Sequence, residues 1–397
     1  MSMPRLWRDA SASALVAGFV TVLVGYTSSA AIVFEAARAL GAGDREIASW
    51  MGALGVGMGF TCIALSLRWR VPVVTAWSTP GAAMLVTGVA GVPMAEAIGA
   101  FAVCGALCAI AGFSGAFERA IARIPVGIAA GMLAGVLLRF GLGAFAALQT
   151  DFALVASMTV AWLAGRRWFP RYAIPAVLVV GAVVAAAQGT LAPGSIAVDV
   201  ARPVWTTPAL SWAAVAGIAL PLFLVTMASQ NVPGAATLRA SGYAHAPISP
   251  IVGWTGVTTV VLAPFGGFAY NLAAITAAIS MSEEAHRDPA RRYVAAVAAG
   301  VCYLVLGVLG ATVGALFAAF PRALVVAVAG LALIGTIGNA LAAAMRVDAE
   351  RDAALVTFLV TASGVTLAGV GSAFWGLCAG AVLLLARPQR ANPAARR

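Results

Sequence analysis

The chain has 397 residues, 62% of them hydrophobic and only 10% charged, with a formal net charge of +10. Soluble domains carry roughly 25% charged residues, so this composition excludes one and points to an all-α protein that crosses a membrane many times. The positive balance is not the mark of a nucleic-acid partner, because no basic face interleaved with base-stacking aromatics is visible.

A bilayer core about 30 Å thick needs roughly 20 apolar residues per helix. About fourteen apolar stretches approach that length: residues 11–34, 47–67, 73–89, 94–113, 125–148, 152–164, 172–188, 209–229, 248–263, 268–281, 293–318, 323–344, 353–367 and 371–385. Residues 1–9 form a short charged lead, and no cleaved signal peptide is expected. All 24 basic residues are Arg. With the N-terminus in the cytoplasm, only Arg38, Arg45, Arg202 and Arg322 fall outside and Arg139 falls within a span. The rest, from Arg5 and Arg8 to Arg396 and Arg397, lie on the inner side. That bias predicts a multi-pass membrane protein with both termini cytoplasmic.

Stretches three and ten are short for a full crossing. The third follows Val-Pro-Val-Val-Thr from Val71 and the tenth follows Ala-Pro-Phe-Gly-Gly from Ala263. Proline with β-branched residues, or with paired glycine, favours extended backbone over helix. Such backbone survives at membrane depth only where protein buries it or a watery cavity is lined by it. Each stretch is therefore expected to be a short extended arm followed by a half-helix; the alternative is that Pro72 and Pro264 merely kink continuous helices. Val16-Ala17-Gly18 echoes Val215-Ala216-Gly217, Pro72 echoes Pro264, and Ala134-Gly135 echoes Ala329-Gly330. These echoes keep nearly one register, which predicts two repeats, residues 1–198 and 199–397, of seven spans each. An odd number of spans inverts the second repeat, and inverted repeats with paired broken helices mark a secondary transporter.

Ser78, Thr79, Pro80 and Gly81 suit the start of one half-helix, since Ser or Thr caps and Pro is favoured in the first turn. Tyr270, Asn271 and Leu272 hold the equivalent place in the second. Two helix N-termini aimed at one spot would offer N–H groups and partial positive charge to an anion. Thr226, Ser229, Gln230 and Asn231 form the most polar run inside an apolar context, either a hydrogen-bonding wall for substrate or an interhelical amide bond or helix end near the surface. Tyr26, Thr27, Ser28 and Ser29 are their counterpart in the first repeat. Phe268, Tyr270 and Trp77 would supply an aromatic wall, or pack in the core. Arg139 would neutralise substrate charge, pair with an acid or snorkel. Glu35 is the proton-carrier candidate, against simple interfacial solvation; Glu96 and Asp151 are placed near an outer interface.

Other features carry no chemistry. Cys62, Cys104, Cys108, Cys302 and Cys378 all lie in apolar runs and are expected to pack as small apolar residues. His245 and His286 fall in loops. Gly127, Gly131 and Gly135 form a stripe for close helix packing. Gly55-x-Gly57-x-Gly59 is no dinucleotide fingerprint, because neither a strand nor an acidic ribose partner follows. No nucleophile–base group or metal cluster appears, so neither an enzyme nor a cofactor is expected.

Three motifs resemble those of bacterial benzoate/proton symporters: Val-Pro-Val-Val-Thr-Ala-Trp-Ser-Thr-Pro-Gly-Ala-Ala from Val71, Leu-Phe-Leu-Val-Thr-Met-Ala-Ser-Gln-Asn-Val-Pro-Gly from Leu222, and Gly-Ser-Ala-Phe-Trp-Gly from Gly371. The resemblance covers essentially the whole chain. It implies a relative of nucleobase and sulfate/bicarbonate carriers, with a core domain (spans 1–4 and 8–11) moving against a gate domain (5–7 and 12–14). It also implies import of benzoate or a similar aromatic carboxylate with protons. The alternatives are a carrier of another anion or of a nucleobase, or an anion channel. In nucleobase carriers, acidic residues on spans eight and ten hold substrate and proton; here Gln230, Asn231 and Asn271 stand in those neighbourhoods, which leaves the proton carrier unassigned. The partners expected are a small aromatic carboxylate, protons and the lipid bilayer, with a homodimer as the assembly to test.

Overall fold

The computed structural model describes residues 6, 8–89, 91–115, 119, 125–191, 199–273, 276–283, 285–365, 367 and 372–386. Arg5, Arg123, Gly371, Arg387, Arg390, Arg396 and Arg397, and the side chains of Ser28 and Arg171, lie outside the described residues.

Among the described residues the chain is a helical bundle with one small two-stranded ribbon inside it. In order, the elements are α1 (Ala12–Ala39), α2 (Asp44–Trp69), β1 (Thr75–Trp77), α3 (Thr79–Gly88), α4 (Met94–Phe113), α5 (Val126–Ala146), α6 (Phe152–Trp168), α7 (Ala173–Ala187) and α8 (Trp212–Arg239). Then come α9 (Ile248–Leu262), β2 (Tyr270–Leu272), α10 (Ala277–Met281), α11 (Tyr293–Val308), α12 (Gly310–Ala319), α13 (Arg322–Ala344), α14 (Arg351–Ser363) and α15 (Ser372–Ala386). Among the described residues, seven helices are long and apolar enough to cross a membrane, or eight when bent α1 is taken as one span. The remaining apolar stretches appear as shorter helices.

Local chemistry explains the irregularities. The two parts of α1, Ala12–Thr27 and Ser29–Ala39, meet at 42°. Beside this bend Thr27 and Ser29 donate back to the carbonyls of Leu23 and Gly25, a bonding pattern that bends helices. Helix α8 does not stop at residue 229, where the apolar stretch ends. It runs to Arg239 by way of two π-helical turns, Val215–Ala219 and Met227–Asn231. Pro221 and Pro233 follow these turns closely. A proline lacks the N–H for the i−4 carbonyl and crowds it, and a wider turn relieves that clash. The stretch 293–318 is likewise interrupted, at Leu309, between α11 and α12.

Small residues set the packing. Helix α2 lies against α11 with Gly55 on Gly307 and Gly59 on Gly300, and α4 lies against α9 with Gly112 on Gly253 and Gly105 on Gly256. Backbones approach closely where side chains are absent. Gly127, Gly131 and Gly135 of α5 receive α14 at Glu350, Ala354 and Phe358, and Gly330 of α13 meets Phe140 of α5. The main hydrophobic cluster joins α1–α4, α8, α9 and both strands to one side of α5 and α13; a second joins α6, α7 and α13 through Leu154, Met158, Val177, Leu324 and Val328.

Polar clamps sit at the helix ends. Asp9 is buried and accepts from Arg70 Nη2 at 2.7 Å and Tyr293 Oη at 2.9 Å, joining the start of α1 to the end of α2 and the start of α11. Arg292 donates to the Met281 carbonyl at 2.8 Å, satisfying a carbonyl that the end of α10 leaves without a helical partner. In the loop after α8, burial pushes the Tyr243 phenol up, so it stays protonated and donates to Pro289 O at 2.8 Å.

Candidate functional site

The site is built on the ribbon. β1 and β2 pair antiparallel with Thr75 opposite Leu272, Ala76 opposite Asn271 and Trp77 opposite Tyr270. Ala273 N donating to Val74 O at 2.9 Å extends the ladder. The pairing lets two extended segments from opposite halves of the chain satisfy each other's backbone groups, as non-helical backbone inside a membrane protein requires.

Side chains of the neighbouring helices tie each arm in place. Ser66 of α2 both donates to and accepts from the Val73 backbone at 3.1 Å. Thr75 N donates to Cys62 Sγ at 3.2 Å, and the Thr75 hydroxyl meets Thr61 Oγ1 at 2.6 Å. Cys62 is therefore more than a small apolar filler. On the second arm, Tyr270 N donates to Thr259 Oγ1 of α9 at 3.1 Å, and Leu272 N donates to Asn231 Oδ1 of α8 at 2.9 Å. The Asn231 amide thus joins the second π-turn of α8 to β2. Arm-anchoring residues Thr61, Ser66 and Thr259 had no signal in the sequence beyond being hydroxyls in apolar runs.

Helix α3 begins where the arm ends. Ser78 caps it, its Oγ accepting from Gly81 N at 3.1 Å and from Thr226 Oγ1 of α8 at 3.0 Å. Because both bonds use lone pairs, the Ser78 proton remains to be donated elsewhere. Thr79 is half-buried at the first helical position and Pro80 follows it. First-turn N–H groups have no intrahelical partner, and Pro80 lacks one, so the Thr79 N–H is presented at the helix start. Gly81 lies against Leu222 of α8 so closely that a Cβ there would collide with it. Gln230 is half-buried on the same π-turn as Asn231.

The second arm differs from expectation. Tyr270 and Asn271 lie in β2 rather than at a helix start; the helix that follows, α10, begins at Ala277 after Thr276 and has five residues. Gly266, at φ 90°, and Ala269, at φ 41°, turn the chain into an orientation that pairing with β1 then holds. One helix start, that of α3, and one paired strand therefore face each other, in place of two helix starts. A five-residue helix is also too short for a useful dipole.

The aromatic residues divide. The Trp77 ring meets Tyr26 edge-on at 5.0 Å, and its Nε1 donates to Ser29 Oγ at 2.9 Å, so the polar face of α1 reaches β1. Phe268 packs between Trp50 and Phe101, away from the start of α3. Tyr270 lies over Gly57 of α2, where any Cβ would enter its ring, and donates to Ala53 O at 2.6 Å. That close fit accounts for the middle glycine of the Gly55–Gly59 run. Two buried polar atoms near the ribbon have no partner among the described residues: Tyr26 Oη and Asn271 Oδ1.

Glu35 is half-buried on α1, nine residues beyond Tyr26. Arg139 is exposed on α5, with its guanidinium over Gly364, the residue that caps α14. A cavity of about 870 Å³ lies at the far end of α1, among Arg38, Arg45, Arg202, Asp44, Glu46 and Asp199, well removed from the ribbon. A second, of about 350 Å³, is lined by apolar residues, among them Ile128 and Met132 of α5, Leu377 and Leu384 of α15 and Leu224 of α8.

Comparison with known proteins assigns this architecture. Residues 8–385 match the family model described as benzoate membrane transport protein. The chain is 50% identical over 368 residues to the inner membrane protein YdcO of Escherichia coli, covering 93% of this chain and 94% of that one. It is 40% identical over 386 residues to the benzoate membrane transport protein of Acinetobacter baylyi, covering 97% and 98%. In three dimensions it is similar to the transmembrane domain of the cyanobacterial bicarbonate transporter BicA, with a TM-score of 0.56 over 93% of this chain and 97% of that one. At 14% identity, that likeness shows the fold alone. A multi-pass helical bundle with such relatives is a membrane transport protein, not an enzyme. The chain belongs to the benzoate membrane transport protein family.

Proposed function

We propose that this protein is a secondary carrier that brings benzoate or a similar aromatic carboxylate, together with protons, across the bacterial inner membrane. Its substrate sits where the ribbon, the start of α3 and the second π-turn of α8 meet. The observation that carries this reading is the pairing of β1 with β2, which sets Ser78, Thr79 and Asn271 beside the polar run of α8. The Ser78 hydroxyl and the Thr79 N–H bind the carboxyl group, Gln230 and Tyr26 supply further hydrogen bonds, and Asn231 positions β2. The aromatic ring packs on apolar side chains around the start of α3, where Leu222 of α8 lies against Gly81. Phe268 and Tyr270 act from behind, by holding the second arm on α2.

In this reading the two halves are inverted seven-span repeats meeting at the ribbon, and both termini are cytoplasmic. The packed group of α1–α4 with α8–α12 moves as a core against α5–α7 with α13–α15. Proton coupling has an energetic reason. A potential negative inside opposes an entering anion by about 2.3 kcal/mol per 100 mV; one accompanying proton removes that opposition and adds the pH gradient as a driving force. The test is uptake of labelled benzoate into proteoliposomes, first under an imposed pH gradient and then under an imposed potential alone. Accumulation with an alkaline interior, above protein-free liposomes, supports the reading. Electrical conductance without accumulation would mean a channel, and competition by uracil or sulfate but not by aromatic carboxylates would mean another substrate.

A further inference from the structure

We infer that the proton accompanying the substrate travels on the substrate's own carboxyl group. The species held in the site is then the aromatic carboxylic acid, its O–H donating to Asn271 Oδ1 and its other oxygen accepting from the Ser78 hydroxyl and the Thr79 N–H. The inference rests on the carrier reading above.

Three observations support it. First, Ala76 stands opposite Asn271 in the ladder. Ser78 lies two residues beyond Ala76 in extended backbone, which puts it on the same face of the ribbon as Asn271 and diagonal to it. Diagonal neighbours in such a ladder are about 7–8 Å apart, a gap that a carboxyl group fills by one hydrogen bond to each side. Second, the orientation of the Asn271 amide is set. Its Nδ2 donates to Ala269 O at 2.8 Å, and a carbonyl can only accept. The remaining atom is Oδ1, a fully buried acceptor with no partner among the described residues. Third, an unsatisfied buried acceptor is costly. A carboxylate placed there would set lone pairs against lone pairs, whereas a carboxylic acid brings the missing donor.

The titratable groups of the surrounding elements point the same way. Tyr26 and Glu35 are on α1 with Arg38 at its last turn, Cys62 on α2 with Asp44, Arg45, Glu46 and Arg68 at its two ends, Tyr270 on β2, Tyr293, Cys302 and Tyr303 on α11, Glu283 after α10, Arg139 on α5 and Cys378 on α15. Helix α3, β1 and α9 carry none, and α8 carries only Arg239, at its last turn. Phenols and thiols remain protonated through the physiological range. Tyr270 is committed to Ala53 O, Cys62 is committed to Thr75, and Glu35 stands about 13 Å of helix rise from Tyr26. The proton balance is simple. Benzoate and one proton combine as the acid on entry, the acid is released on the other side, and there it dissociates. No residue changes charge.

The test uses the purified wild-type carrier and isothermal titration with a near-isosteric pair of ligands, 3-methylbenzoate and 3-chlorobenzoate, at a pH well above the pKa of both. Binding of the acid form predicts that the weaker acid, the methyl compound, binds more tightly, by tenfold per unit of difference in ligand pKa. It also predicts one proton taken up per ligand, read from buffers of different ionisation heat. In Asn271→Leu the preference for the weaker acid should collapse. Equal affinity for the pair in wild type, with or without proton uptake, would overturn the inference, because the proton would then sit on the protein or not be bound at all. Absence of binding by both ligands at every pH would instead overturn the carrier reading on which it rests.

Discussion

Ser78→Ala is the perturbation with the most informative consequences. The substitution removes an N-cap whose oxygen accepts from Gly81 N and from Thr226 Oγ1, both in fully buried surroundings. Losing a Ser cap costs about 1 kcal/mol, and losing one neutral hydrogen bond to the substrate costs about 1 kcal/mol more. The first cost falls on the melting temperature; the second, about 1 kcal/mol, corresponds to roughly fivefold weaker binding, at 1.4 kcal/mol per tenfold. Thr226→Val removes only the donor that orients Ser78, so a smaller loss of about threefold is expected. Ser78→Thr keeps both cap and hydroxyl and should bind nearly as wild type. The assay is benzoate titration on the purified carrier, alongside a thermal melt of each variant. If Ser78→Ala lowers the melting temperature but leaves the dissociation constant within twofold, Ser78 is a helix cap only and the proposed carboxyl site is wrong.

Further outcomes follow from other parts of the structure. Asn231→Ala leaves the buried Leu272 N–H without its acceptor, at a cost of about 1–3 kcal/mol; the melting temperature and benzoate uptake should fall together while membrane insertion persists. Arg139→Ala should leave benzoate affinity within twofold, since its guanidinium covers the cap of α14 rather than the ribbon; a tenfold loss would place it in the substrate path. Asp9→Ala orphans Tyr293 Oη and one face of Arg70. With Arg70 45% exposed the loss is moderated by solvent, and about 1–3 kcal/mol of stability is expected, seen as easier thermal unfolding with ligand affinity unchanged.

The two arms could be read from sequence because the signals are local: proline beside β-branched residues from Val71, and proline with paired glycine from Ala263. Their mutual pairing could not be, because register between segments about 195 residues apart is a tertiary outcome. The same limit explains why Tyr270 and Asn271 were expected at a helix start. The apolar stretch ends at residue 229, but a π-turn accommodates Pro233 and lets α8 continue. The choice between wall and interhelical bond for Asn231 turned on one backbone N–H, that of Leu272, which no pattern announces. Phe268 and Tyr270 turn toward α2 because Gly57 leaves room for a ring there. Asp9, in what looked like a solvated lead, is a clamp because Arg70 and Tyr293 come to it from residues far along the chain.

The central claim, that the substrate's carboxyl group sits at the start of α3, is tested most directly by rotational-echo double-resonance NMR. The sample is benzoate labelled with carbon-13 at the carboxyl, bound to carrier labelled with nitrogen-15 on threonine. A hydrogen bond from the Thr79 N–H would bring that carbon within about 4 Å of the labelled nitrogen. The account predicts clear dephasing in wild type that disappears in Thr79→Ser, which keeps the N–H but loses the label. Dephasing absent in wild type, or unchanged in Thr79→Ser, would contradict it.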